Sequence, residues 1–162
     1  MPGQPGEVVV RGTQVMSGYW RAGPATADAI ADGWLRAGDI GWIDAAGRLS
    51  IIDRAKDVII TGGENVSSRE VEDALSTHPD VDMVAVVGVP DQYWGEAICA
   101  VVVPRAGSSP AAGDLIAHVR AIIAPFKRPR HIVFADTLPL TTNGKIAKDR
   151  VRTFARARTG TA

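Results

Sequence analysis

The chain has 162 residues, with 18 Lys and Arg set against 18 Asp and Glu, and 46% of it is apolar. That length allows one ordinary domain, or one domain and part of another, and the apolar share excludes disorder as the main state. Zero formal charge argues against a general polyanion binder, and the single cysteine, Cys99, excludes a disulfide framework and makes a reducing, cytoplasmic setting the default.

Residues 1–6 lack the basic start and apolar core of a signal peptide. No apolar run reaches the ~20 residues that span a bilayer. Residues 7–12, Glu-Val-Val-Val-Arg-Gly, predict a short strand ending at glycine. Beyond Met16 a Pro/Gly/Ala stretch leads to Thr26 and Asp28, either of which can cap a helical turn through Ile30. Trp34-Leu35 and residues 40–43 predict two strands separated by Gly38-Asp39, and residues 44–47 predict a turn. Residues 48–52 and 57–61 predict two more strands around a charged centre. Up to Ile52 there is no long helix and there are few core positions, as in a β-rich piece of a larger body.

After Arg54 the pattern changes. Ser67-Ser68-Arg69-Glu70 is a capping box with Ser67 as N-cap, and Val71, Ala74 and Leu75 recur at helical spacing until His78-Pro79. Residues 81–89 and 97–103 are long β-type runs, interrupted at Pro90-Asp91. An amphipathic helix over 114–123 carries Leu115, Val119, Ile122 and Ile123 on one side. Residues 131–134 predict a third strand and 149–158 a basic terminal helix. The order βαββαβα predicts an α+β domain: a three-stranded sheet with packed helices plus a β-hairpin, preceded by the β-rich piece. The boundary is expected at Asp53-Arg54, giving residues 1–53 and 54–162.

Lysine is scarce, at Lys56, Lys127, Lys145 and Lys148 only, in a chain that otherwise uses arginine. A lysine there marks a place for a slim, flexible ammonium in preference to a planar fork; the alternative is chance. Lys145 follows a glycine in Leu138-Pro139-Leu140-Thr141-Thr142-Asn143-Gly144-Lys145-Ile146, which predicts an ammonium at the tip of a tight turn. A phosphate-binding loop would need glycine at Pro139 and Ser or Thr at Ile146, so that motif fails. Asp39 offers two carboxylate oxygens suited to a vicinal diol such as ribose; its plain reading is a turn aspartate bonding its own backbone. Asp53-Arg54-Ala55-Lys56-Asp57 reads as a solvated turn, and Gly62-Gly63-Glu64-Asn65 as a loop before the capped helix. Phe126-Lys127-Arg128-Pro129-Arg130 is the one basic cluster with an aromatic, but no nucleic-acid module accompanies it. His78, His118 and His131 are too scattered to predict a metal site.

Gly33-Trp34-Leu35-Arg36-Ala37-Gly38-Asp39, then residues 53–57 with 62–65, then residues 138–146 resemble, in this order and spacing, the closing third of an AMP-forming acyl-CoA synthetase. That superfamily also holds luciferases and peptide-synthetase adenylation domains. The resemblance runs from about Gly6 to about Arg152. It departs at Ala37, where the family more often has threonine. It implies that Asp39 binds the ribose hydroxyls of ATP, that Arg54 reaches the nucleotide, and that Lys56 is the hinge between a large domain and a mobile small one. Gly62, Gly63 and Glu64 would border the pantetheine tunnel, and Lys145 would be the catalytic lysine of adenylation. The resemblance implies a mostly structural role for residues 126–130, with contact to coenzyme A phosphates as the alternative. The implied reaction joins a carboxylate, a fatty acid by first expectation, to coenzyme A at the expense of Mg2+-bound ATP, through an acyl-adenylate. Neither a Ser/Thr/Gly-rich phosphate loop nor an acyl pocket is found, so the chain is expected to be a C-terminal portion that is inactive alone. The alternatives are an adenylation domain serving a carrier protein and a non-catalytic interaction module.

Overall fold

Runs of consecutive buried residues mark the centre of the fold. In the computed structural model, which describes residues 3–160, Val84 to Val89 and Ala97 to Val103 are buried without a break. A strand with both faces covered loses the usual apolar–polar alternation, which is why these segments read as continuous apolar runs. Met1 and Pro2, part of the stretch read for a signal peptide, lie outside the described residues. By contacts the chain divides into two units, Met1–Lys56 and Asp57–Ala162.

The first unit holds β1 (Gly6–Val10), α1 (Gly23–Ala29), β2 (Ile30–Ala31), β3 (Trp34–Ile43) and β4 (Leu49–Arg54). β3 is the hub, pairing antiparallel with β1, β2 and β4. Two expectations are corrected here. Gly38-Asp39 does not separate two strands: β3 runs through it, and the β1 ladder skips from Glu7↔Ile40 to Val9↔Arg36, so extra residues of β3 bulge outward there. Thr26 and Asp28 do not cap α1 but lie within it; the Thr26 hydroxyl accepts from the Tyr19 amide and donates to the Ala22 carbonyl, both at 2.9 Å. No large apolar side chain of this unit is buried among the described residues, and Trp34, Trp42, Ile43, Leu49 and Ile51 are exposed.

The second unit holds β5 (Ile59–Thr61), β6 (Glu64–Val66), α2 (Ser68–Ser76), β7 (Val81–Asp91), β8 (Gly95–Pro104), α3 (Ala112–Ile122), β9 (His131–Phe134) and α4 (Lys148–Thr159). β7 and β8 form a long antiparallel hairpin, β9 lies parallel to β8, and the short β5–β6 hairpin joins β8 at Thr61↔Gly95. The expected three strands are thus extended to five by the hairpin. Pro90 and Asp91 do not break β7; they pair with Glu96 and Gly95 up to the hairpin turn. The expected N-cap forms at α2, where the Ser67 hydroxyl accepts the Glu70 amide at 3.3 Å, while both Glu70 carboxylate oxygens accept from Lys127.

Two cores follow from the two covered faces. On one, Val84, Val86, Ile98, Ala100 and Val102 meet Val71 and Leu75 of α2 and Leu115 and Val119 of α3. On the other, Ala85, Val87, Val89, Cys99 and Val101 meet Val151 and Ala155 of α4 and Leu138. Each such valine, leucine or isoleucine side chain removed from water is worth about 1.5–3 kcal/mol, so the sheet holds its helices from both sides. Cys99 is fully covered, and burial pushes its thiol up to about 12, which leaves it unreactive. No helix among the described residues is long and apolar enough to cross a membrane.

Two outcomes follow. Leu75→Ala empties a fully buried position and is expected to lower unfolding stability by about 2–5 kcal/mol, read by urea denaturation; a change under about 0.5 kcal/mol would contradict this packing. At the β7–β8 turn, Asp91 Oδ1 accepts the Tyr93 and Trp94 amides, both at 2.9 Å, and those bonds hold its carboxyl below the usual range. A depressed carboxyl stabilises above its unfolded value and loses that contribution as pH falls through the folded value. Protection of the Tyr93 and Trp94 amides, followed by NMR, is therefore expected to be lost in acid; protection unchanged down to about pH 2 would contradict it.

Candidate functional site

The first unit presents one constellation. Register pairs Asp39 with Arg54 across β3 and β4, and Arg54 Nε lies 3.0 Å from Asp39 Oδ1. On its other side β3 bulges away from β1 between Arg36 and Ile40, so Asp39 is in register with β4 and not with β1. Asp53, next along β4, is buried, and its Oδ1 accepts the Arg54 amide at 2.8 Å. Thus a half-exposed carboxylate and an exposed guanidinium stand side by side on a fixed pair of strands. An arginine so held keeps terminal N–H donors in a planar fork suited to phosphate. Arg54 is the last residue of β4, in the first unit. Lys56 lies exposed in the 3-10 turn Ala55–Asp57 that ends that unit.

In the second unit, Gly62 and Gly63 are the two central residues of the β5–β6 hairpin, with φ of +60° and +82°. The expectation of a loop is corrected: two consecutive positive φ values are the signature of a tight hairpin turn, and Glu64 and Asn65 already belong to β6. Gly62 is also packed. Its amide donates to the Trp94 carbonyl at 2.9 Å, and a Cβ there would stand 2.6 Å from the Trp94 ring. Arg130 stacks over the same ring at 4.1 Å. Glu96 secures the strand below: its Oε2 accepts the Ile60 amide at 2.9 Å while its carboxylate lies across Gly88, where any Cβ would collide with it. Trp94 and Glu96 were not singled out from sequence; the glycine in the middle of a valine run at Gly88 was the available signal.

Lys145 sits on a separate loop between β9 and α4. Leu140 and Ile146 bridge antiparallel. The Thr141 amide donates to the Lys145 carbonyl at 2.7 Å, the Gly144 amide to the Thr141 carbonyl at 3.0 Å, and the Lys145 amide to the Thr141 hydroxyl at 3.2 Å. Gly144, at φ +75°, supplies the left-handed turn. The backbone is therefore braced while the Lys145 side chain is exposed, and among the described residues no carboxylate pairs with it. The other two lysines of this unit differ. Lys127 donates to both oxygens of Glu70 at 2.7 Å, and Lys148 donates to Ser68 at 2.7 Å and pairs with Glu72 at 2.9 Å. Lys127 is thereby withdrawn from the basic cluster. Asp57 Oδ1 is buried without a hydrogen bond and faces Arg152 at 3.7 Å. The rings of His78 and His118, far apart in sequence, meet edge to face at 5.0 Å.

Residues 70–145 match the AMP-binding enzyme C-terminal domain family. A feruloyl-CoA synthase from Amycolatopsis sp is 47% identical over 151 residues, covering 93% of this chain and 31% of the relative. A long-chain-fatty-acid–CoA ligase of Bacillus subtilis is 44% identical over 150 residues, covering 93% and 27%. The amide bond synthetase McbA of Marinactinospora thermotolerans superposes with a TM-score of 0.85 at 46% identity, over 95% of this chain and 32% of that one. ATP-bound MatB of Rhodopseudomonas palustris gives 0.87 at 36% identity. The chain spans between about a quarter and a third of the length of the relatives it matches. Over nearly its whole length the chain is similar to part of these CoA ligases and adenylate-forming enzymes, and residues 70–145 are similar to the C-terminal domain of AMP-binding enzymes.

Proposed function

We propose that the chain is the part of an AMP-forming carboxylate–CoA ligase that delivers a lysine to the adenylation step and a glycine hairpin to the thioester step. The observation that carries this reading is the Lys145 loop: a backbone held by four hydrogen bonds, presenting an unpaired ammonium to solvent. In adenylation a carboxylate oxygen attacks the α-phosphorus of Mg2+-bound ATP and pyrophosphate leaves. The Lys145 ammonium bridges the carboxylate and an α-phosphate oxygen, offsetting the charge that gathers there. In the second step the coenzyme A thiolate attacks the acyl carbon and AMP leaves. The Gly62-Gly63 hairpin, with Glu64, borders the thiol's path, where a side chain on the turn would obstruct it.

Asp39 takes the ribose hydroxyls and Arg54 the nucleotide phosphates, while Lys56 is the hinge. Residues 1–53 are read as the end of a larger domain. The uncovered apolar residues Trp34, Trp42, Ile43, Leu49 and Ile51 support this, because a sheet with no core of its own needs another surface to cover it. On this reading the chain catalyses neither step alone. The acyl donor is a carboxylic acid. Relatives named for ferulate, indoleacetate and long-chain fatty acids stand at 47%, 44% and 44% identity, so this third of the enzyme gives the fatty-acid expectation no preference. Coenzyme A is preferred as acceptor because those relatives are CoA ligases; a carrier protein or an amine is separated from it by varying the acceptor in the assay below.

The test is a hybrid in which all 162 residues replace the matched 31% of the Amycolatopsis synthase, assayed with ferulate. Lys145→Ala is expected to lower carboxylate-dependent ATP–pyrophosphate exchange by about 10²–10³ while coenzyme A still consumes preformed acyl-adenylate. Unchanged exchange would overturn the reading. Gly62→Ala, strained at φ +60° and driven against Trp94, is expected to slow the thioester step and spare adenylation; the opposite pattern would reassign the hairpin.

A further inference from the structure

Lys148 is the first residue of α4, where the helix dipole disfavours a cation. A charge placed against a local rule points to a contact elsewhere that requires it. That contact is long-range: Lys148 Nζ donates to the hydroxyl of Ser68, the first residue of α2, at 2.7 Å, and lies 2.9 Å from Glu72 Oε1, one turn further along α2. The same Glu72 oxygen accepts the amide of Val86 at 2.8 Å. Val86 lies on β7, at the end of the strand order β6-β5-β8-β7. Ser68 is fully buried and the Lys148 and Glu72 side chains are largely so. α2 and α4 pack in different cores on opposite faces of the sheet, so this cluster clasps them around the open edge of β7.

Its position along the chain gives the clasp a second consequence. Lys148 is three residues beyond Lys145, and only the Pro139–Ala147 rung (Ala147 amide to Pro139 carbonyl, 2.8 Å) lies between the clasp and the loop. The incoming leg is seated by Leu138, which is buried in the second core. Ile146 packs there on the outgoing leg, but an apolar contact fixes direction less sharply than two short bonds to an ammonium.

We infer that Lys148 is the positioning residue of the Lys145 loop: by binding Ser68 and Glu72 it fixes the loop's outgoing leg against α2, and so sets where the Lys145 ammonium is presented. This rests on the reading of Lys145 given above. A displacement of about 1 Å at the reacting centre costs on the order of a hundredfold in rate, so the clasp should be felt in adenylation and not in the step that does not use Lys145.

Lys148→Met alone would leave the Glu72 carboxylate buried without its ammonium, so the decisive variant is Lys148→Met combined with Glu72→Gln. It removes both charges and keeps an oxygen for the Val86 amide. In the 162-residue chain, hydrogen exchange at Thr141, Gly144, Lys145 and Ala147 should quicken at least about tenfold while Leu75 and Val119, buried within α2 and α3, keep their protection. In the hybrid, kcat for adenylation should fall about a hundredfold with KM for ATP nearly unchanged and thioester formation from preformed adenylate preserved. Lys148→Arg, which keeps the charge and the donors, should recover most of the rate. Undisturbed loop protection and rate, or a loss shared equally by both steps and by the core amides, would overturn the inference. Lys145→Ala in the same hybrid separates the two failures. If it leaves adenylation intact, the reading of Lys145 falls and the clasp's role falls with it; if it abolishes adenylation and the double variant does not lower it, the clasp alone is overturned.

Discussion

β7 and β8 have no free face, and the remainder of the second unit follows from covering them twice. One face is taken by α2 and α3, the other by α4 and Leu138. Because α2 precedes β7 and α4 follows β9, the chain must carry a helix across to the far side at its end. The segment that makes this crossing is the loop bearing Lys145. Its exposed lysine is therefore placed by the demand for a second covering layer, and the loop's few backbone bonds need only shape the tip.

The two loops with chemical potential are supported by different means. The Gly62-Gly63 hairpin leans on the β7–β8 turn, through the Trp94 carbonyl and ring and the Glu96 carboxylate. The Lys145 loop leans on α2, through Lys148, Ser68 and Glu72. On the proposed function, separate supports suit two steps that use one loop each, because strain in one is not handed directly to the other. The first unit works on another principle: Asp39 and Arg54 are fixed by strand register and a bulge, on a sheet that lacks a core of its own.

Much of the second unit could be read from the sequence because its signals are local. The N-cap at Ser67, the helical spacing of Val71, Ala74 and Leu75, and the unbroken runs 81–89 and 97–103 each report their structure within a few residues. What was misread depends on partners distant in sequence. Gly38-Asp39 looks like a turn because glycine and aspartate form turns; that β1 and β4 hold β3 straight on either side of the bulge is not a local property. Gly62-Gly63 looked like a loop because strands of three residues are too short to show alternation. Among the candidate residues, Lys145 and Asp39 were singled out through motifs. Lys148 was noted only for its rarity, since its partner Ser68 lies 80 positions away.

The central claim is that the Lys145 ammonium contacts the reacting phosphate. The most direct measurement is a crystal structure of the hybrid enzyme with a non-hydrolysable acyl-adenylate analogue, compared with one that also holds coenzyme A. The account predicts Lys145 Nζ within hydrogen-bond distance, about 2.7–3.2 Å, of an α-phosphate oxygen in a complex on the adenylation side. A complex in which a different cation holds that oxygen while Lys145 faces solvent in every state would contradict it.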